Sequence, residues 1–337
     1  MGEINCFQEN LYKEAQGMSQ KNFWIGALLL AIIGLFIGQS YIYHVFILCF
    51  IWIIVVVGWD LVLGYCGILN FAQLVFFASA AYGTGMLSIN LNLNPLLSIF
   101  LSVALTGVIG LIVGLPCLRL KGEYVALFSF AVHLALPALI SQGRSIGTGG
   151  ATGLMGIPSI QLFGFSFTVM EKMSWYYLSF ILAGLVVYCI YFVLIPGRLG
   201  RAFIALRDSE DFARSIGIND YKYKLTAFVI SAITTGIAGA LYAHYVSVVT
   251  PKILGNEFFL MVMLMLSVGG IGRFPGVLLG AFIITFGNEL LRDAGQYRLL
   301  ILGLCVVVTI LYLPNGVVYF KGKFISRILH KKKQLSE

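Results

Sequence analysis

Ile42-Tyr-His-Val-Phe-Ile-Leu-Cys-Phe-Ile-Trp-Ile-Ile-Val-Val-Val-Gly58 contains no Asp, Glu, Lys or Arg, and it decides the fold class. A helix crosses the hydrocarbon core of a bilayer with ~20 apolar residues, and ~17 to 25 are tolerated. Outward from it, comparable stretches cover 23–38, 61–90, 96–118, 123–141, 173–195, 225–249, 258–272, 275–291 and 298–318. The first and the 258–272 stretch are short. The 61–90 stretch is long and interrupted by Gly64, Gly67, Asn70, Gln73, Gly83 and Gly85. The chain therefore reads as an all-α, polytopic integral membrane bundle of about ten transmembrane helices (8–10), some of them interrupted.

Composition agrees. Of 337 residues, 59% are hydrophobic and 11% charged, against ~25% charged in soluble domains. A soluble fold of this length cannot hide that much apolar surface. A soluble enzyme, a disordered chain and a disulfide-stapled secreted domain are excluded. Cys6, Cys49, Cys66, Cys117, Cys189 and Cys305 are scattered without ligand spacing and read as reduced thiols, most of them in apolar stretches.

The 22 Lys and Arg exceed the 14 Asp and Glu to give +8. They cluster in loops and the tail, which points to membrane orientation and lipid headgroups rather than to nucleic acid. With both termini cytoplasmic, 17 basic residues lie inside and 5 (Arg144, Lys172, Lys252, Arg292 and Arg298) outside. The expected organisation is a cytoplasmic leader over 1–22 with no cleavable signal, one permease domain over 23–318, and a basic cytoplasmic tail over 319–337.

Two loops break the apolar pattern. The outer one, 142–172, is rich in glycine around Arg144-Ser-Ile-Gly-Thr-Gly-Gly-Ala-Thr-Gly153. The inner one, 196–224, holds ten of the 36 formal charges. Within it Asp208 and Ser209 can cap a helix, Glu210 and Asp211 suit its first turn, and Gly217 can end it. Phe212, Ala213 and Ile216 are expected to share one face, with Glu210, Asp211 and Arg214 pointing elsewhere. A short two-faced helix on the cytoplasmic surface is expected, with one flank on the bundle and the other free for a partner.

The chain carries no G-x-x-x-x-G-K-[ST] phosphate loop; its one Gly-Lys pair, Gly322-Lys323, precedes Phe324. No zincin motif, nucleophile elbow or carboxylate pair supports an enzyme or a metal site. Asp60 and Glu123 are placed at helix ends. His44, His133 and His244 lack acidic neighbours at helical spacing and read as packed or hydrogen-bonded residues. The weakly polar groups left for a translocation path are Gly67, Asn70, Gln73 and Gly83, with Gly269 and Gly270 in a second break. Glycine interruptions free backbone groups that are tolerated only against protein or a water-filled path; close helix packing is their other use. The second break, Leu266-Ser-Val-Gly-Gly-Ile-Gly-Arg-Phe-Pro-Gly276, faintly echoes residues 63–73.

Several longer motifs recur in order: Leu63-Gly-Tyr-Cys-Gly67, Leu118-Arg-Leu-Lys-Gly-Glu-Tyr-Val-Ala126 and Gly149-Gly-Ala-Thr-Gly-Leu-Met-Gly-Ile-Pro158. Gly200-Arg-Ala-Phe-Ile-Ala-Leu-Arg-Asp-Ser-Glu-Asp-Phe-Ala-Arg-Ser-Ile-Gly-Ile-Asn219 is the most specific, followed by Lys224-Leu-Thr-Ala-Phe-Val-Ile-Ser-Ala232, Gly236-Ile-Ala-Gly-Ala-Leu-Tyr-Ala243 and Val268-Gly-Gly-Ile-Gly272. Over roughly residues 45 to 318 the chain resembles the M-type permease subunits of branched-chain amino acid ABC importers. The resemblance implies pairing with a paralogous permease, two cytoplasmic ATPase subunits that hydrolyse ATP, and an extracytoplasmic substrate-binding protein. No cofactor is then bound by this chain. It also implies that the 208–217 helix couples to the ATPase, through Arg207, Asp208, Ser209, Glu210, Asp211, Phe212, Ala213, Arg214 and Gly217. Two departures bear on the solute: Asn70-Phe71-Ala72-Gln73 replaces the usual Ser-Leu-Gly-His, and Phe128-Ser129-Phe130 is bulkier than usual. Permeases for urea and short-chain amides share most of these motifs. From another class, a self-contained carrier or channel also uses interrupted helices.

Overall fold

In the computed structural model the uncharged run becomes the innermost helix. The structure describes residues 24–36, 38–120, 122–162, 165–167, 172–292, 295 and 297–312. The leader 1–22, the tail 319–337 and residues 163–164 and 168–171 of the outer loop lie outside the described residues. Helix α2 (Ser40–Asp60) is apolar on all sides, and a helix without a polar face is stable only when surrounded. It is buried along 89% of its most apolar stretch, against 61% for α9 (Asp220–Val246) and 28% for α4 (Pro95–Cys117) and α5 (Glu123–Gln142). Around α2 pack α6 (Lys172–Val187), α9 and α11 (Gly276–Leu290). Beside it, Tyr43 and Tyr176 donate to the Gly34 and Leu30 carbonyls of α1 (Trp24–Phe36).

A second layer forms from α3 (Gln73–Asn90) and α4 against α9. Asn94 caps α4 by accepting from the Leu96 amide at 3.0 Å, and Pro95 opens the helix where no amide is needed. Gly239 lies so close to the Phe77 carbonyl that a Cβ would overlap it, which fixes how nearly α9 approaches α3. On the other side α10 (Asn256–Gly269) forms a hairpin with α11, and α12 (Tyr297–Tyr312) packs on α10. Among the described residues, five helical segments are long and apolar enough to cross a membrane: Ser40–Tyr65, Pro95–Cys117, Glu123–Ile146, Lys172–Leu194 and Asp220–Val246. Shorter apolar helices are Trp24–Phe36, α10 and α11.

The chain thus forms a polytopic helical membrane bundle, with one boundary moved. The stretch 61–90 is not one interrupted helix. Helix α2 runs through Asp60 and continues as a π-helical turn, Leu61–Tyr65, before an irregular segment at 66–72; α3 then starts at Gln73. Gly67, at φ +72°, reverses the chain in a conformation that favours glycine. Asp60 is consequently no helix end but a buried residue inside a continuous segment.

The outer loop is anchored. β1 (Leu154–Met155) pairs antiparallel with β4 (Val248–Val249), just past the end of α9, and a small hairpin joins β2 (Ile160–Leu162) to β3 (Phe165–Phe167). The amides of Gly156 and Ile157 both donate to the Ser247 carbonyl, and Leu154 and Ile157 cover Gly85 of α3. The loop therefore roofs α3 instead of hanging free.

Candidate functional site

The inner loop folds into two helices, α7 (Arg198–Asp208) and α8 (Glu210–Ser215). Helix α7 is amphipathic and buries Phe203 and Leu206 against the bundle. The Ser209 hydroxyl accepts from the Phe212 amide at 3.3 Å and caps α8, with Glu210 and Asp211 in its first turn. At the other end Gly217 adopts φ +86°. Its amide donates to Arg214, and Ile218 donates to Ala213, both at 3.0 Å, which closes the last turn in a Schellman arrangement.

The expected apolar face divides. Ala213 is fully buried, whereas Phe212 and Ile216 are 62% and 58% exposed. The reason is angular: positions 212 and 216 lie one turn apart on one stripe, and position 213 is rotated by ~100° from 212. Glu210 pairs with Lys224 of α9 at 2.5 Å, and Arg214 pairs with Asp220 at 2.5 Å. The Asp220 carboxylate beside it raises the Arg214 guanidinium above its ordinary pKa. These pairs hold α8 on α9 and leave Phe212 and Ile216 facing outward, on the cytoplasmic side by the expected orientation.

Arg207, last but one in α7, reaches the other way. Its Nη1 donates to the Gly64 carbonyl in the π turn at 2.9 Å, and its side chain lies against Gly67. Four residues before Gly64, the Asp60 carboxyl accepts from the Tyr191 hydroxyl at 2.8 Å and from the Gly272 amide at 2.6 Å. The two glycine breaks that echo each other in sequence therefore touch: Gly64 and Gly272 are packed too closely for a Cβ on either.

The remaining expected path residues do not converge on one point. Asn70 is fully buried, with its Oδ1 on the Ala72 amide and its carbonyl accepting from Trp59 Nε1 at 2.7 Å. The Gln73 amide is engaged by Ser231 and Thr235 of α9. Gly83 lies against Ser102 of α4, Gly269 against the α11 backbone, and Gly270 ends α10 at φ +95°. Gly67 and Asn70 share the 66–72 break, whereas Gly269 and Gly270 lie in the second break, whose Gly272 touches Gly64 in the π turn.

A family model described as the permease component of branched-chain amino acid transport systems matches residues 41–312. The chain belongs to that family. It is 30% identical over 320 residues to the high-affinity branched-chain amino acid transport system permease protein LivM of Escherichia coli (strain K12), covering 89% of this chain and 75% of that protein. To the probable LivM permease of Methanocaldococcus jannaschii it is 25% identical, covering 72% and 75% of the two chains. To the LivH permease of Salmonella typhimurium it is 26% identical, covering 78% and 90%. No solved structure matches. Membership makes this a multi-pass membrane permease, and matches to both M- and H-type proteins place it among paralogous permeases.

Two buried groups of this permease show more than the sequence did. Asp60 is completely buried, and its donors come from α6's π-helical extension (Tyr188–Leu194) and the α10–α11 turn, 131 and 212 residues away. His133, expected to be packed or hydrogen-bonded, is 1% exposed, and neither ring nitrogen has a hydrogen-bond partner among the described residues. By contrast His44 bonds the Tyr245 hydroxyl and His244 the Pro158 carbonyl. The nearest sequence signal for His133 was Pro137, four residues on, which leaves the His133 carbonyl without its helical donor.

Proposed function

We propose that this chain is a translocation subunit of an ATP-driven importer for branched-chain amino acids in the cytoplasmic membrane, with both termini inside. It pairs with a paralogous permease and is served by two ATPase subunits and an extracytoplasmic binding protein. It catalyses no reaction itself. The observation that carries this reading is α8: a helix capped at both ends, pinned by Glu210–Lys224, that presents Phe212 and Ile216 outward. Covering such side chains contributes ~1.5–3 kcal/mol each, so a grooved partner surface is favoured there. The energy source then lies in the partner, and motion of α8 reaches the bundle through Arg207. Alternating access follows when the breaks at 66–72 and 270–275 rearrange around α2.

Expression with candidate ATPase, paralogous permease and binding-protein genes tests this. The complex should co-purify, a cysteine replacing Phe212 should cross-link to an ATPase, and proteoliposomes should take up leucine, isoleucine or valine only with ATP. Uptake by the chain alone on an ion gradient would sink the proposal. Competition by urea or acetamide in place of the aliphatic amino acids would move the substrate to short-chain amides.

A further inference from the structure

The middle of α5 meets the 66–72 break through an aromatic cluster that encloses unpaired polar groups. The Phe71 amide donates to Ser129 Oγ at 2.9 Å, joining break and helix directly. The His133 ring stacks on Phe130, with centroids 6.1 Å apart, and lies 5.2 Å from Phe259 of α10. The Phe71 ring meets the same two side chains, at 6.0 Å from Phe130 and 5.6 Å from Phe259. Both ring nitrogens of His133 in this packing, and the amide nitrogen of Asn70, which precedes Phe71 in the chain, lack hydrogen-bond partners among the described residues, although His133 is 1% exposed and Asn70 fully buried. Pro137, one turn on, has no N–H to give the His133 carbonyl its usual helical bond. Buried polar groups are ordinarily paired, and two unsatisfied side chains at one junction point to a partner that comes and goes.

We propose that Asn70 and His133, walled by Phe71, Phe130 and Phe259, form the solute-handling constriction of the path, closed over itself in this conformation. The proposal rests on the transport function above. The cluster defines its ligand. The Asn70 amide supplies two N–H donors for a carboxylate, and the neutral imidazole one donor and one acceptor. The faces of the aromatic rings attract an ammonium. The three phenylalanine rings suit an aliphatic side chain. No Asp, Glu, Lys or Arg belongs to the cluster, so a zwitterion of zero net charge passes without leaving a buried charge unmatched. The ligand class is a neutral amino acid with an apolar side chain, held by polar groups that transporters often draw from broken helices.

The test uses the complete transporter in proteoliposomes at saturating leucine-loaded binding protein, so that delivery does not limit. Loss of a hydrogen bond to a charged group in a buried site corresponds to about tenfold or more in rate. His133→Leu and Asn70→Leu should each lower leucine uptake by that factor while ATP hydrolysis still responds to the loaded binding protein. His133→Gln, which keeps a donor and an acceptor, should retain most of the uptake. Wild-type uptake in both leucine variants would overturn the site. So would a joint fall of uptake, stimulated hydrolysis and melting temperature in all three variants, which marks a structural role. If the unaltered complex moves no aliphatic amino acid, the transport function fails, and the ligand assigned to the cluster fails with it.

Discussion

Asp60 shows what a single ionisable residue demands inside an apolar bundle. Burying a carboxyl without partners is costly, so its two donors, Tyr191 and the Gly272 amide, are required by its position. They come from different parts of the chain, and the residue therefore holds α2, α6's extension and the α10–α11 turn in one arrangement. Tyr191→Phe removes one donor and leaves a carboxyl oxygen stranded, at a cost of ~1–3 kcal/mol. In the Asp60→Leu background the same change strands nothing. A double-mutant cycle read by thermal unfolding in detergent should show a clear loss for Tyr191→Phe alone and a much smaller one beside Asp60→Leu. Equal losses in both backgrounds would mean that the hydroxyl does not serve the carboxyl.

At the scale of an element, α8 is governed by its ends. A Cβ on Gly217 would meet no atom within 4 Å, so a substitution there is opposed by backbone conformation and not by crowding. The left-handed conformation costs an ordinary L-residue ~1–2 kcal/mol, and asparagine tolerates it best. ATP-driven uptake should therefore fall in the order Gly217→Asn, Gly217→Ala, Gly217→Val, with the asparagine variant near wild type. Equal activity in all three would show that the terminus of α8 does not set its coupling geometry. These ends were legible in sequence, because Ser209, Glu210 and Gly217 act on amides and carbonyls within a few residues of themselves. The 66–72 break was less so. Its glycines and Asn70 marked a weak point, but the π turn before it has its Gly64 carbonyl bonded by Arg207, a contact across 143 residues. His133 is packed, as an isolated histidine on an apolar helix is expected to be, but that its ring nitrogens have no partner among the described residues is legible only in the packed structure.

Across the whole molecule, the same contacts make one mechanical connection. Helix α7 reaches the core through Arg207 on Gly64, and Asp60 joins that turn to Gly272 in the opposite break. Composition and span length alone indicated a helical membrane bundle, since they depend on how much apolar surface must be hidden. The meeting of the two breaks was not legible, because it is set by which helices surround α2. The connection makes a testable demand on Arg207, whose side chain is 37% exposed. Arg207→Ala should leave assembly and melting temperature close to wild type, because partly exposed polar contacts contribute little to stability. It should nevertheless separate ATP hydrolysis from transport: hydrolysis persists, and uptake per ATP falls several-fold as α8 moves without drawing the π turn with it. Arg207→Lys, which keeps a donor but loses the planar fork shared between Gly64 and Asp208, should fall between the two. Parallel measurement of hydrolysis and uptake decides the matter: an unchanged ratio in Arg207→Ala would place the transmission of force elsewhere than at the α7–π-turn contact.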